Sequence, residues 1–184
     1  MNDSRAGIPR GVRLVASAAS VLALSLTTGL MGAAPALAHQ PVQLNSGDRT
    51  PSRGPLLVDG TVSFAVYASV RKGKTRGFRA DLAAGDRLAI QLLIPDRAPA
   101  NRLSTAQLPR VTVISPDGKR TVMTIDERTP FYEPYSGTSY LYLSRINESA
   151  MAGRYRVVIT GRSATKVPVV IGVGYREVPG QVRN

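Results

Sequence analysis

The sequence predicts an all-β protein, a single jelly-roll-like β-sandwich of about eight strands after an N-terminal signal peptide. Three observations carry that prediction. Apolar side chains recur at every second position through residues 61–70 and 87–94, the period of a strand with one buried face. Turn-forming clusters, such as Ala84-Gly85-Asp86 and Ser115-Pro116-Asp117-Gly118, separate the apolar runs, with Pro presetting φ and Gly accepting positive φ. No stretch after residue 55 shows the i, i+3, i+4, i+7 spacing of an amphipathic helix longer than two turns.

Taken in order, residues 1–38 combine Arg5, Arg10 and Arg13 with an apolar run from Leu14 and the closing triplet Ala36-Leu37-Ala38. A basic start, an apolar middle and small residues at the exit form the pattern of a signal peptide, here expected to be cleaved after Ala38. The alternative is an uncleaved anchor, because the run is long enough to span a bilayer. Residues 39–55 carry Pro41, Pro51 and Pro55 with little apolar content and read as a flexible arm with no core. Residues 56–178 form the expected sandwich domain and 179–184 a C-terminal tail.

Within the domain, residues 61–70 set Val62, Phe64, Val66, Ala68 and Val70 on one face, with Thr61, Ser63, Tyr67 and Ser69 on the other. Residues 76–82 turn Phe78, Ala80 and Leu82 inward, and 87–94 do the same with Leu88, Ile90, Leu92 and Ile94. Further strands are expected at 110–114, 121–125, 139–143, 154–160 and 167–175. Residues 95–109 hold three prolines and read as a long connection with room for a helical turn at 104–107.

Composition narrows the chemistry. The chain has no cysteine and one histidine, so disulfides, thiolate nucleophiles and sulfur-ligated zinc are excluded. Its formal net charge is +12, near +10 without the first 38 residues. Such a balance points to anionic partners, among them cell-wall polymers with phosphate or carboxylate groups and lipid headgroups, with solubility alone as the other reading. Nucleic acid is not expected, because aromatic interleaving of the basic stretch is limited to Phe78. No transmembrane segment is expected after cleavage, since no later run approaches ~20 apolar residues.

Three pieces together resemble the bacterial pre-peptidase C-terminal domain, a secreted jelly-roll-like sandwich. They are the stretch from Gly77 through Phe78, Ala84-Gly85-Asp86 and Leu88, then residues 111–118 ending in Pro116-Asp117-Gly118, then Gly153-Arg154-Tyr155 with the strand that follows. The resemblance spans roughly residues 61–175 and implies a binding or targeting module rather than a catalyst. The chain departs from the family ahead of Phe78, where Arg71, Lys72, Lys74 and Arg76 stand in place of an acidic residue.

Two clusters are candidate binding sites. Arg71, Lys72, Lys74, Arg76 and Arg79, spaced by Gly73 and Gly77, sit where two strands connect and make either an anion-holding field or a solvated hairpin. Phe131, Tyr132, Tyr135, Tyr140 and Tyr142 make five of the ten aromatics, with Glu133 among them. They offer flat faces with polar tips to a sugar or peptide. In the alternative they are a packed crossover, with Tyr135 and Tyr140 covering an open end of the sandwich as corner tyrosines do.

Catalysis and cofactors have little to build on. His39 would become the terminal residue, where amine and imidazole chelate copper, but no second imidazole exists to complete the site. No histidine of the folded domain is available as a general base. The remaining route is a carboxylate pair, Asp126 or Glu127 with Glu133, acting on a glycoside; neighbours in a strand face opposite ways, so Asp126 and Glu127 converge only at a bulge. The leading expectation is therefore a secreted or envelope-associated, non-enzymatic module without a metal or cofactor, engaging an anionic or glycan surface. The alternatives are a small glycan-active hydrolase using the carboxylates and a structural partner that packs its sheet edge on another secreted protein.

Overall fold

Two six-stranded sheets face each other across one apolar core. A computed structural model describes residues 39–134 and 136–184; residues 1–38, where a signal peptide is expected, and Tyr135 lie outside the described residues. The strands are β1 (Gln40–Gln43), β2 (Leu56–Leu57), β3 (Phe64–Val70), β4 (Thr75–Leu82), β5 (Arg87–Pro95), β6 (Arg110–Ile114), β7 (Arg120–Val122), β8 (Thr129–Glu133), β9 (Thr138–Ser149), β10 (Gly153–Thr160), β11 (Val167–Val173) and β12 (Val182–Arg183). Sheet I runs β1-β3-β11-β5-β9-β8 and sheet II runs β12-β2-β4-β10-β6-β7. Both are mixed, since β1 lies parallel to β3 and β2 parallel to β4 while the other pairs are antiparallel.

The all-β sandwich expected from the alternation is present. Phe64, Val66, Ala68 and Val70 of β3 meet Phe78, Ala80 and Leu82 of β4, with Leu88, Ile90, Leu92 and Ile94 of β5 in the same cluster. Fully burying each large side chain of this set contributes roughly 1.5–3 kcal/mol. The helical turn at 104–107 also forms, with Gln107 N–H donating to the Ser104 carbonyl at 2.9 Å and the Gln107 side chain accepting from Ser104 N–H at 3.0 Å.

The strand count is twelve rather than eight, and the four additional strands β1, β2, β8 and β12 are all short. Two expectations change with them. Residues 39–55 are not an arm without a core: β1 adds to the edge of β3, Leu44 N–H donates to the Tyr67 carbonyl at 2.9 Å, and Val42 and Leu44 enter the core. The parallel pairing supplies the backbone partners that a sparse apolar pattern does not advertise. The tail at 179–184 likewise contributes β12, paired with β2. Thr61 and Ser63, expected on the solvent face, are buried because β3 begins only at Phe64 and the preceding residues are covered by the loop around Arg176, whose carbonyl accepts Ser63 N–H at 2.8 Å.

The strands that open the first piece of the family resemblance and carry the other two, β4, β6 and β10, are neighbours in sheet II, while the first piece ends at Leu88 in β5 of sheet I. Gly153 opens β10 at φ 128°, where a Cβ would press on Pro116 at 3.0 Å. The glycine of one piece is thus the seat for the proline of another. Tyr155, two residues on, accepts the Met151 N–H at 2.9 Å through its hydroxyl, a side-chain-to-backbone bond of the kind that corner tyrosines make.

Candidate functional site

Three segments distant in sequence build a cationic cavity at one end of the sandwich. The β3–β4 turn forms one wall, with Lys74 N–H donating to the Arg71 carbonyl at 2.9 Å. Two backbone bonds fasten this turn to the β10–β11 loop, Lys72 N–H to the Ser163 carbonyl at 2.7 Å and Gly161 N–H to the Lys74 carbonyl at 3.0 Å. Only glycine fits at 161, because a Cβ there would collide with the Arg71 backbone. The fastening brings Lys166, the residue before β11, beside Arg71 and Lys74.

The facing wall is the turn after β1. Asp48 accepts the Asn45 N–H at 2.6 Å and Asn45 accepts the Gly47 N–H at 2.7 Å, a pair of side-chain caps typical of Asn and Asp in turns. The folded turn docks on the start of β4 through the Thr75 hydroxyl, which donates to the Arg49 carbonyl at 2.6 Å, and through Gly77 N–H, which donates to the Asp48 carbonyl at 2.8 Å. Arg49 is thereby aimed at the same space.

The resulting cavity, about 390 Å³, is lined by Arg49, Arg71, Lys74, Arg76 and Lys166, by the hydroxyl residues Ser46, Ser69 and Thr75, and by no carboxylate. Among the described residues the ion pairs lie elsewhere, at Arg145–Glu127, Arg154–Asp81 and Arg176–Asp59. Five like charges around one hollow repel one another, and an anion seated between them relieves that repulsion. Of the predicted basic residues, Arg71, Lys74 and Arg76 line the cavity. Lys72 is exposed and stands outside it. Arg79 is also absent from the lining, since its guanidinium donates to the Gly54 carbonyl at 2.7 Å and holds the loop before β2. Arg49 and Lys166 join from segments that the local charge run does not include.

A second feature lies on the outer face of sheet I, where solvent-facing side chains would ordinarily be polar. Tyr67, Val170, Leu93 and Tyr142 stand in register across β3, β11, β5 and β9, and Phe131 of β8 lies opposite Tyr140. Ala65, Leu93, Tyr140 and Val170 form a small buried cluster with Tyr67, Phe131 and Tyr142 packed against it. The Phe131 and Tyr142 rings sit 5.3 Å apart at 45°, and the Arg145 guanidinium lies 4.0 Å over Tyr142. Burial, then the neighbouring Tyr140 hydroxyl and the Glu133 carboxylate, push the Tyr67 phenol up to about 12. Burial also raises Tyr142 against the lowering pull of Arg145. The hollow over these rings is small, about 30 Å³. A ligand would rest on this face rather than enter it.

Of the candidate aromatic-loop residues, Phe131, Glu133 and Tyr140 line that hollow, together with Tyr67, Tyr142 and His39. Tyr132 does not line it; at 61% exposure it is among the exposed large hydrophobics, on the alternate face of the same strand. Tyr135 lies outside the described residues.

The carboxylates do not gather into one site. Glu127 is held by Arg145 at 3.1 Å and by the Thr129 hydroxyl at 2.6 Å. Asp126 and Glu127 both donate their N–H to the Leu143 carbonyl, at 3.1 and 3.4 Å, while Asp126 itself is exposed. Glu133 occupies the far end of β8 and accepts Ser136 N–H at 2.7 Å. Glu127 precedes β8 and Glu133 ends it, with roughly 13 Å of strand between them. His39 touches the Ser63 hydroxyl through Nδ1, but Ser63 is buried and offers no open nucleophile. Among the described residues no group of three or more His, Asp or Glu is placed to hold a metal ion. Neither a protein-family model nor a curated protein matches this chain.

Proposed function

We propose that the protein is an exported, envelope-associated, non-catalytic module that binds an anionic surface through its cation cavity. One observation carries the reading: Arg49, Arg71, Lys74, Arg76 and Lys166 converge on one hollow without a lining carboxylate. Its size falls within the range of small-ligand clefts. Backbone hydrogen bonds hold its walls, so the segments that carry the cations are brought together by the fold before a ligand arrives. The signal-type leader and the resemblance to a secreted binding domain support delivery to the outside of the cell.

The test is binding of the purified protein to inorganic polyphosphate and to a carboxylate polymer over a series of salt concentrations. Micromolar or tighter affinity that falls steeply with salt is expected, because the contacts are ionic and the Debye length shrinks from ~10 Å at 0.1 M to ~3 Å at 1 M. Equal affinity for a neutral polymer, or no loss in a Lys74→Glu, Lys166→Glu variant that keeps its thermal midpoint, would sink the reading.

A further inference from the structure

The cation cavity and the aromatic face are not separate places on the surface. Ser69 lines the cavity and also lines a shallow cleft with Tyr67, Tyr140, Val170 and Arg97. Tyr67, Tyr140 and Val170 in turn line the aromatic hollow. Three depressions therefore follow one another along the outward residues of β3, which run Ala65, Tyr67, Ser69 and then Arg71 just past the strand. Ala65 to Ser69 is about 13 Å of strand, and Arg71 lies a further step of roughly 6–7 Å. Such a length exceeds a phosphate ion or one sugar ring.

Charge varies along the track. The five cavity cations stand at one end, Arg97 flanks the middle cleft, and Glu133 on the edge strand β8 is, among the described residues, the one acid lining these hollows. Ala65 and Gly172, facing each other across β3 and β11, leave a low floor between the tyrosine and phenylalanine rings. Flat aromatic faces with hydroxyl tips suit the apolar face and polar rim of a sugar ring. A ligand that satisfies both ends needs anionic groups and sugar rings on one chain.

We infer that a single linear anionic glycan occupies the whole track, its phosphate or carboxylate groups in the cavity and its rings across the half-buried Tyr67 and Phe131. The inference rests on the anion-binding reading of the cavity and adds the class of polymer and its course over sheet I. Separate occupants for the two features would leave their shared walls, Ser69, Tyr67 and Tyr140, without a common use.

Four probes test it on the purified protein: inorganic tripolyphosphate for charge alone, a neutral oligosaccharide for rings alone, a phosphate-bearing polysaccharide, and a carboxylate-bearing one. The track predicts that at least one charged polysaccharide binds tenfold or more tightly than tripolyphosphate, and which of the two does so identifies the anion. Phe131→Ala should remove that tenfold advantage while leaving tripolyphosphate binding unchanged. The chain has no tryptophan, so its tyrosine emission is a second readout that needs no variant: it should change with the charged polysaccharide and stay constant with tripolyphosphate. Equal affinity for tripolyphosphate and both charged polysaccharides, with constant tyrosine emission, would overturn the track while leaving the cavity reading intact. Failure of all charged probes would overturn both.

Discussion

Gly161 and Arg71 touch backbone to backbone where the β3–β4 and β10–β11 loops, each crossing between the sheets, meet at a spacing that no side chain at 161 allows. That contact seats the loop carrying Lys166 beside the β3–β4 turn. Gly161→Ala is therefore expected to lower stability by about 1–3 kcal/mol, the usual cost of forcing an extra methyl into a packed place. Anion affinity should fall in the same variant, since the loop that carries Lys166 must move away from Lys74. Urea unfolding and a polyphosphate titration measure the two effects. Unchanged values in both would mean that the loops do not meet as described.

Lys166 and Lys72 provide a matched comparison. Lys166 is far from the basic run in sequence but lines the cavity, whereas Lys72 belongs to the run and stands outside. Lys166→Ala should weaken polyphosphate binding about as much as Lys74→Ala, and each should flatten the plot of log affinity against log salt by about one unit. Lys72→Ala should leave both affinity and slope near those of the parent. The reverse order would show that proximity in sequence, not the cavity, sets the interaction.

Tyr67 carries a pH signature. Its phenol ionises near 12 in the fold, against about 10 in an unfolded chain, so above pH 10 the folded state holds a proton that the unfolded state has lost. The associated stability is present in full below pH 10 and declines as pH rises toward 12. Alkaline titration of phenolate absorbance should show a late-ionising class among the seven tyrosines, reduced by one in Tyr67→Phe. A single transition near 10 for every tyrosine would contradict the packing of the outer face.

Leu44, at 4% exposure, tests whether the segment before the domain belongs to it. Leu44→Ala should cost about 2–3 kcal/mol, toward the lower part of the range for leucine truncation because the site is near the sandwich edge. A change below 0.5 kcal/mol in chemical denaturation would return residues 39–55 to the status of an arm.

Much of the architecture is legible before folding is considered. Strands such as β3 and β5 are long enough for strict alternation to register, and the Gly85 and Gly118 turns punctuate them. The short edges are not, because β2 and β12 have two residues each and no period can be read from two positions. In the cavity, Arg71, Lys74 and Arg76 are visible as a run, but side-chain direction within a tight turn is not, so Lys72 and Arg79 cannot be separated from them. Arg49 and Lys166 arrive by loop fastening, which leaves no local trace beyond the glycine at 161. For the outer face a signal does exist. Leu92-Leu93-Ile94 and Val169-Val170-Ile171 are apolar on both sides of their strands, which for an antiparallel sheet calls for something to cover the outer side.

Strand β11 is made almost last yet sits at the centre of sheet I, hydrogen-bonded to β3 on one flank and β5 on the other. Synthesis delivers both flanks long before the piece that joins them, so this half of the body stays unclosed until residues 167–173 have emerged. A chain that stalls short of Val167 presents two open ladders of backbone donors and acceptors to its neighbours, the condition under which one molecule borrows a strand from another. Truncation at the C-terminal side should therefore produce aggregates rather than a smaller soluble fold.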